Sequence, residues 1–426
     1  MRGTRRLLRP ALACCLLLTT ALAPLGCSAQ EDRTVVVLGP WTDGEETPFV
    51  DMLKDIGRRT GRSYEYEGTR SLRETLTAQL RTKTPPDVAV LNGLGELAEY
   101  ARDGDAKALK EDVAGSALGP WSQQITLEEP TGELRRHAYW VPIRVDLKSI
   151  VWSRPGDRKA AGHPRWCLGM ASGPTSGWPG TDWIEDLLLQ KFGPAVYEDW
   201  ATGGLPWTSE EVRRSWQAWR DVLAKEGPKA PEKAISTQFE SLGGGRYGLL
   251  NTGRCTLEHQ GSFIRRHYGD DVLPAPTRTF VPGLPADLKA FEVSGDMAAV
   301  FRPSDAAWDL LRELTSRPAR DVWAAKAAPG ARPFFPGGST GRGRLSASTA
   351  AVQKLFRSAD KICFDASDAM PSTLRGAFQR AVLEFLQNPQ DARLLETLLT
   401  QLEAERRTQD RAGAFALDHL CGDPRD

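Results

Sequence analysis

The chain has 426 residues, with 55 Lys and Arg balanced by 55 Asp and Glu. That balance leaves no footprint for a nucleic-acid partner, which would show a basic excess. A hydrophobic share of 40% is that of a globular protein, and the length suits two domains.

In chain order, residues 1–26 read first as an export signal. Arg2, Arg5, Arg6 and Arg9 form a positive start, Ala11 to Leu25 is apolar apart from Thr19 and Thr20, and a polar stretch from Ser28 to Asp32 follows. The apolar run is too short and wrongly flanked for a membrane span. Leu25-Gly26-Cys27 looks like a lipobox, which implies a diacylglycerol on the Cys27 thiol and an anchor on the outer face of the cell membrane. Pro24 stands where lipoboxes usually carry Leu. Ordinary cleavage after Ala21-Leu22-Ala23, leaving Cys27 a free thiol, is the alternative. Removing the four Arg of the signal leaves 51 cationic against 55 acidic residues, a net of −4. No second run of about 18 apolar residues follows.

Val35-Val36-Val37-Leu38 has the pattern of a short buried strand, broken by Gly39-Pro40. Thr47-Pro48 reads as a helix start with Pro in the first turn. Phe49, Met52, Leu53 and Ile56 then form one apolar stripe, ended by Gly61. Ser63 to Tyr66 is a second strand. Ser71-Leu72-Arg73-Glu74 reads as a capping box opening a helix with Leu72, Leu76 and Leu80 on one face. Pro85-Pro86 stops it, and Asp87 to Leu91 is a third strand. This alternation predicts a parallel, doubly wound α/β sheet. Ligands of such sheets bind beyond the carboxyl ends of the strands. Trp41, Asp43, Glu45, Glu46, Arg70 and Asn92-Gly93 fall at those ends.

Further along, Tyr139 to Trp152 reads as strand, with Val141, Ile143, Val145 and Leu147 in alternation. Residues 163–207 are dense in Trp, Gly and Pro. Asp182 to Lys191 and Ser209 to Lys225 read as helices, as do a segment capped by Ser304 and the Leu-rich run from Asp391 to Arg407. No internal repeat and no long linker is present, which predicts two lobes in close contact.

Of seven cysteines, Cys14 and Cys15 leave with the signal and Cys27 is assigned to lipidation. Cys167, Cys255, Cys363 and Cys421 remain, an even set in an oxidising compartment. Four cysteines allow three pairings. The pairing expected is Cys167–Cys255 with Cys363–Cys421, and the alternative is that one or both pairs stay reduced and buried.

Motifs for a phosphate loop (GxxxxGK[ST]), a zinc protease (HExxH) and a nucleophile elbow (GxSxG) are all missing. Gly243-Gly244-Gly245 is a turn signal with no Lys-Ser or Lys-Thr behind it. His137, His163, His259, His267 and His419 show no metal spacing. No cofactor or metal is expected. Nothing in the sequence brings two carboxylates to glycosidase separation, so an enzyme is not expected.

Several segments, in order, resemble bacterial extracellular solute-binding proteins of the carbohydrate ABC-transport class, the group containing maltose-binding protein, and in particular its α-glucoside-type branch. They are Val37-Leu38-Gly39-Pro40-Trp41, Pro85 to Leu91, Val141-Pro142, Lys148 to Trp152, Trp166 to Met170 with Ser176 to Asp186, Pro206 to Val212, Cys255 to Phe263, Ser294 to Met297 and Phe364 to Pro371. The resemblance implies a periplasmic-binding-protein-like fold. Its two lobes are each a sheet flanked by helices, with the ligand cleft between them and a multi-strand hinge. It implies one lobe from 27–141 and 291–335, and a second from 142–290 and most of 336–426. The chain is expected to cross near Tyr139–Val145, Val272–Val293 and Ala328–Phe335. By the same resemblance a monomeric lipoprotein captures a carbohydrate and hands it to membrane permease subunits. A sensory or structural lipoprotein on this scaffold is the second reading, and a secreted carbohydrate-active enzyme the third.

A sugar offers an apolar C–H face and a rim of hydroxyls, so its site combines flat aromatic rings with carboxylates, guanidinium groups and amides. Trp41, Glu45, Arg70, Trp178, Asp182, Trp183, His259, Gln260, Asp296, Phe335 and Asp368 supply that mixture and are the candidate ligand contacts. Each has a structural alternative: Trp183 as core, Asp182 as a helix cap, Arg70 as a surface ion pair, His259 and Gln260 as strand-end residues satisfied internally. One departure from the family pattern stands out. Gly376-Ala377-Phe378 is commonly followed by a cleft Trp, and here Gln379 follows.

Overall fold

The computed structural model describes residues 33–114, 119–128, 131–157, 165–240 and 248–424. Cys27, His163 and the Gly243–Gly245 turn lie outside them.

The chain opens as the α/β unit expected. β1 (Val35–Gly39) lies between β2 (Tyr64–Gly68) and β3 (Val88–Leu91), parallel to both. α1 (Thr47–Thr60) connects β1 to β2 and buries the whole predicted stripe of Phe49, Met52, Leu53 and Ile56. Gly61 ends it in the left-handed region, at φ 72°. α2 (Leu72–Arg81) starts where the capping box places it, but the Ser71 side chain makes no capping bond, and Leu76 alone of its three leucines is fully buried. Ser71 lies outside N-cap geometry at φ −99° and ψ 51°, and the Thr69 hydroxyl, at 3.1 Å, takes the Ser71 N–H that Glu74 would hold in a capping box. α3 (Leu94–Arg102) and the short α4 (Glu111–Ala114) follow.

The middle departs from expectation in one respect. The strand predicted from Tyr139 to Trp152 is two strands on two sheets, β6 (Trp140–Leu147) and β7 (Ile150–Ser153), after the hairpin β4 (Ile125–Glu128) and β5 (Leu134–His137). The break falls at Ser149, whose φ of 59° ends extended pairing. α5 (Trp178–Ala201), α6 (Glu210–Leu223) and α7 (Ala230–Ser236) come next. Within α5, Gly193 (φ 83°, ψ 173°) and Pro194 make a kink. Ser209 caps α6 as its sequence suggests. β8 (Glu258–His259) and β9 (Leu273–Pro276) flank β7 in a small antiparallel sheet.

β10 (Ala290–Val300) is the longest strand and joins the two halves of the molecule. Its first residues, Ala290–Val293, run parallel to β11 (Lys361–Phe364), whereas Met297–Val300 run antiparallel to β3. β6 accompanies it antiparallel, with a register shift between Asp296 and Met297. Phe334 adds a bridge to Val145. On the β3 side, α1, α8 (Asp305–Thr315) and α9 (Arg317–Lys326) bury one face of the sheet around Phe49, Trp308 and Leu311. Towards β11, α5 packs on β10, on α6 and on α12 (Ser372–Phe385), which packs in turn on α13 (Ala392–Arg411). Trp200, Trp207, Trp216 and Trp219 are fully buried there around Phe378 and Phe385. α10 (Ala347–Ser358) and the single turn α11 (Ala366–Ala369) complete the helices. The result is an α/β fold of two lobes.

Both expected disulfides are present, Cys167–Cys255 and Cys363–Cys421. The second ties the edge strand β12 (Cys421–Gly422) to β11. Among the described residues no helix is long and apolar enough to cross a membrane.

Candidate functional site

The site grows from the change of partner along β10. Gly295 passes so close to β6 that a Cβ there would lie 2.9 Å from the Arg144 carbonyl oxygen and 3.0 Å from the Trp121 ring. The register shift that follows presents Asp296 to Arg144, whose Nε donates to Asp296 Oδ2 at 2.6 Å. Burial pushes the Asp296 carboxyl up to about 6, and the Arg144 charge holds it from rising further. The Arg144 guanidinium also covers the Trp41 ring at 4.7 Å, a cation–π contact.

Glu45 arrives from the turn after β1, which Asp43 (φ 60°) and Gly44 (φ 92°) bend sharply. Its carboxylate accepts from Arg144 at 3.2 Å and from Arg266 at 2.8 Å, with Arg70 Nη2 at 3.6 Å. Burial alone would raise this carboxyl, but the three cations outweigh it and hold Glu45 below the ordinary carboxylate value. Arg266 reaches on to Glu240 at 2.5 Å, and His267 Nε2 lies 2.8 Å from the same oxygen. Burial opposes ionisation of Glu240 too, and again the His267 hydrogen bond and the Arg266 charge prevail.

A second charged group forms where β6 ends. Lys148 Nζ donates to Asp182 at 2.9 Å and to Asp365, and lies 5.5 Å from the centre of the Trp178 ring. Asp182 neither caps α5 nor stands in its first turn, because the helix begins at Trp178, earlier than the sequence suggests. Asp365 caps α11 by accepting from the Asp368 N–H at 2.9 Å. Asp368 accepts from Arg375 at 3.1 Å and from Asn92 at 3.4 Å, and Arg375 also donates to Glu96 at 3.0 Å. Burial pushes Asp182 and Asp368 up to about 7, despite Lys148 beside the first and Arg375 beside the second. Beneath them, carboxylate oxygens of Glu185, Glu292 and Asp365 lie within 4.8 Å of one another. Lys148 already supplies a cation to this cluster, and burial pushes Glu185 and Glu292 well above the ordinary range, which favours their uncharged form.

The aromatic candidates separate clearly. Trp41, Trp183 and Phe335 are at most 2% exposed and belong to the core. Trp41 packs on Phe49, Tyr66 and Trp323, Phe335 packs on Trp323, and Trp183 stacks on His259 at 4.3 Å. Their rings back the site and present no face to a ligand. Trp178 is only partly buried, against Phe239 and Phe263. Its neighbour Gly177 (φ 104°) touches the Gln379 backbone, where a Cβ would fall 2.4 Å from the carbonyl oxygen. His259 is buried and bonded to Asp186 at 2.9 Å. Gln260 folds back on the Gly261 N–H at 3.1 Å, whereas the buried Nδ1 of His259 finds no hydrogen-bond partner among the described residues. Arg70 remains 40% exposed on its side chain, with Nε donating to Thr42 at 2.9 Å.

Sequence reading missed Arg144, Lys148, Arg266 and Arg375. A signal for the first two was present: in Val-Pro-Ile-Arg-Val-Asp-Leu-Lys, charged residues recur at every second position of a strand otherwise fit for burial. Arg266 and Arg375 sit on turns and helices of mixed charge that offer no such contrast.

No family model matches the chain. Among characterised proteins it is 27% identical over 418 residues to the osmoprotective compounds-binding protein GgtB of Synechocystis sp., covering 90% of this chain and 96% of that one. It is 25% identical over 394 residues to the alpha-glucosides-binding periplasmic protein AglE of Rhizobium meliloti, covering 83% of each. Solved structures share the fold at lower identity. A chitin oligosaccharide binding protein superposes with a TM-score of 0.66 at 14% identity, over 89% of this chain and 99% of that one. A protein of xylan utilisation from a thermophilic Caldanaerobius superposes with a TM-score of 0.67 at 11% identity, over 88% and 100%. Both characterised relatives are binding proteins, not enzymes. The chain is a homologue of the bacterial extracytoplasmic solute-binding proteins of ABC transport and has their two-lobed fold.

Proposed function

We propose that this chain is the receptor of an ABC importer for a small hydroxyl-rich solute, a glucoside or a related osmoprotectant. The observation that carries this reading is its relation, over at least 83% of its length, to two receptors named for such ligands. The cleft chemistry supports it. Trp178 offers a flat apolar face, and the exposed Asn92 with the partly buried Arg375, backed by the buried Asp368, offers donors and acceptors for sugar hydroxyls. Asp182 and Lys148 fix that ring from behind. Cys27 carries the lipid anchor in this reading, and membrane permease subunits are the partners that take the ligand.

The test is a thermal-shift screen of the chain from residue 27, with Cys27→Ser, against mono- and oligosaccharides, glucosides, amino acids and short peptides. Ligand at about 100 times its dissociation constant stabilises by about 2.7 kcal/mol. A shift with glucosides or other polyols supports the reading. Silence from every polyol in a folded protein, or a shift with amino acids or peptides alone, overturns it.

A further inference from the structure

One ion pair in the site differs from the rest in what it joins. Glu45 follows β1, inside the β2-β1-β3 sheet. Arg266 lies on the turn Ser262–His267 between β8 and β9, strands of the separate three-stranded sheet, and that turn packs on α10. The 2.8 Å contact between them therefore links one lobe to the other. Both partners are braced from their own sides. Glu45 is gripped by Arg144 and approached by Arg70, and Arg266 is gripped by Glu240, which His267 also engages. The pair is largely withdrawn from water, with side-chain exposures of 14% for Glu45 and 18% for Arg266. Three cations, Arg70, Arg144 and Arg266, meet three carboxylates, Glu45, Asp296 and Glu240, so the charges in this part of the cleft pair among themselves.

We propose that Glu45 and Arg266 form a latch that holds the lobes together without ligand, and that opening requires the pair to break. Breaking it gives up a largely buried charge–charge contact, worth more than a fully exposed surface pair, while Arg144 and Arg70 keep Glu45 paired and Glu240 keeps Arg266 paired. The pair thereby biases the receptor towards its closed form, and ligand entry waits on latch opening. The inference rests on the receptor reading only in taking this cleft as the binding cleft.

The experiment is small-angle scattering of ligand-free protein at low and high salt, for the wild type, Glu45→Gln and Arg266→Gln. Circular dichroism confirms folding. The expected result is a compact wild type at low salt and a larger radius of gyration in either variant, with salt moving the wild type towards the variants. Glu45→Gln is isosteric and keeps the assay informative should Arg266→Gln fail to fold. Identical scattering from wild type and folded Glu45→Gln, whether compact or extended, overturns the latch. If a polyol binds, its dissociation should also speed up by about tenfold in Glu45→Gln, equivalent to ~1.4 kcal/mol. A scattering change with no ligand found in the screen keeps the latch and removes the receptor reading. Ligand binding with no scattering change does the reverse.

Discussion

The ammonium of Lys148 lies 5.5 Å from the centre of the Trp178 ring while donating to Asp182 at 2.9 Å. One cation thus fixes both the aromatic face and the start of α5. Because it also holds Asp365, removing it leaves two buried carboxylates without their partner. Lys148→Met is expected to destabilise the fold by ~3–5 kcal/mol. The deficit should shrink as pH falls towards mild acid, because Asp182 already lies near 7 with the lysine beside it and both carboxyls rise when it is removed. Chemical denaturation at two pH values checks both parts, and a deficit independent of pH would show that the lysine acts through packing alone.

Trp178→Ala removes the one candidate ring with an accessible face. Ligand affinity is expected to fall by ~2 kcal/mol, about thirtyfold, while the protein stays folded. Titration calorimetry with a ligand from the thermal screen reads this directly. Unchanged affinity would place the sugar elsewhere.

The same site predicts an unusual stability profile. Asp182 and Asp368 have folded values near 7 against 3.8 for the free side chain, and burial takes Glu258 to about 8. A carboxyl raised on folding binds its proton more tightly in the native state. Stability therefore falls as pH rises from the unfolded value through the folded one. Glu45 and Glu240 are lowered and act oppositely: their contribution is present above their unfolded values and is lost as pH falls through the folded ones. The two tendencies predict greatest stability in mild acid, at roughly pH 5. Melting temperatures at pH 5.5 and 8 decide it, and an equal or higher value at pH 8 would count against the buried-acid account.

Replacing Cys363 and Cys421 together by Ser opens a loop spanning 58 residues and is expected to cost roughly 4 kcal/mol by the chain-entropy account. The loss should show as a lower denaturation midpoint, and treating the wild type with reductant should reproduce it in part. A midpoint unchanged in both would mean that β12 is held by its backbone pairing alone.

How much of this was legible in the sequence depended on the range of the interaction. Phe49, Met52, Leu53 and Ile56 announced α1 because a helix stripe is a local pattern, and all four are buried where expected. Ser209 and Ser304 cap the helices that follow them for the same reason. The break at Ser149 left no trace, since a left-handed serine is imposed by the two sheets it joins. The site residues were harder still. Trp41, Trp183 and Trp178 all stand beside Gly, Pro or Asp in the sequence, and only the packing of distant segments decides which ring keeps an open face. Glu45 and Arg266 are 221 residues apart, and no periodicity connects them.

β10 has a consequence for anyone who would take the molecule apart. Its first four residues serve β11 and its last four serve β3, with β6 beside it almost throughout. A cut anywhere along Ala290–Val300 would leave both fragments with a torn strand and an open sheet edge ready to pair with whatever it meets. Neither half is therefore a module to be expressed, swapped or transplanted by itself.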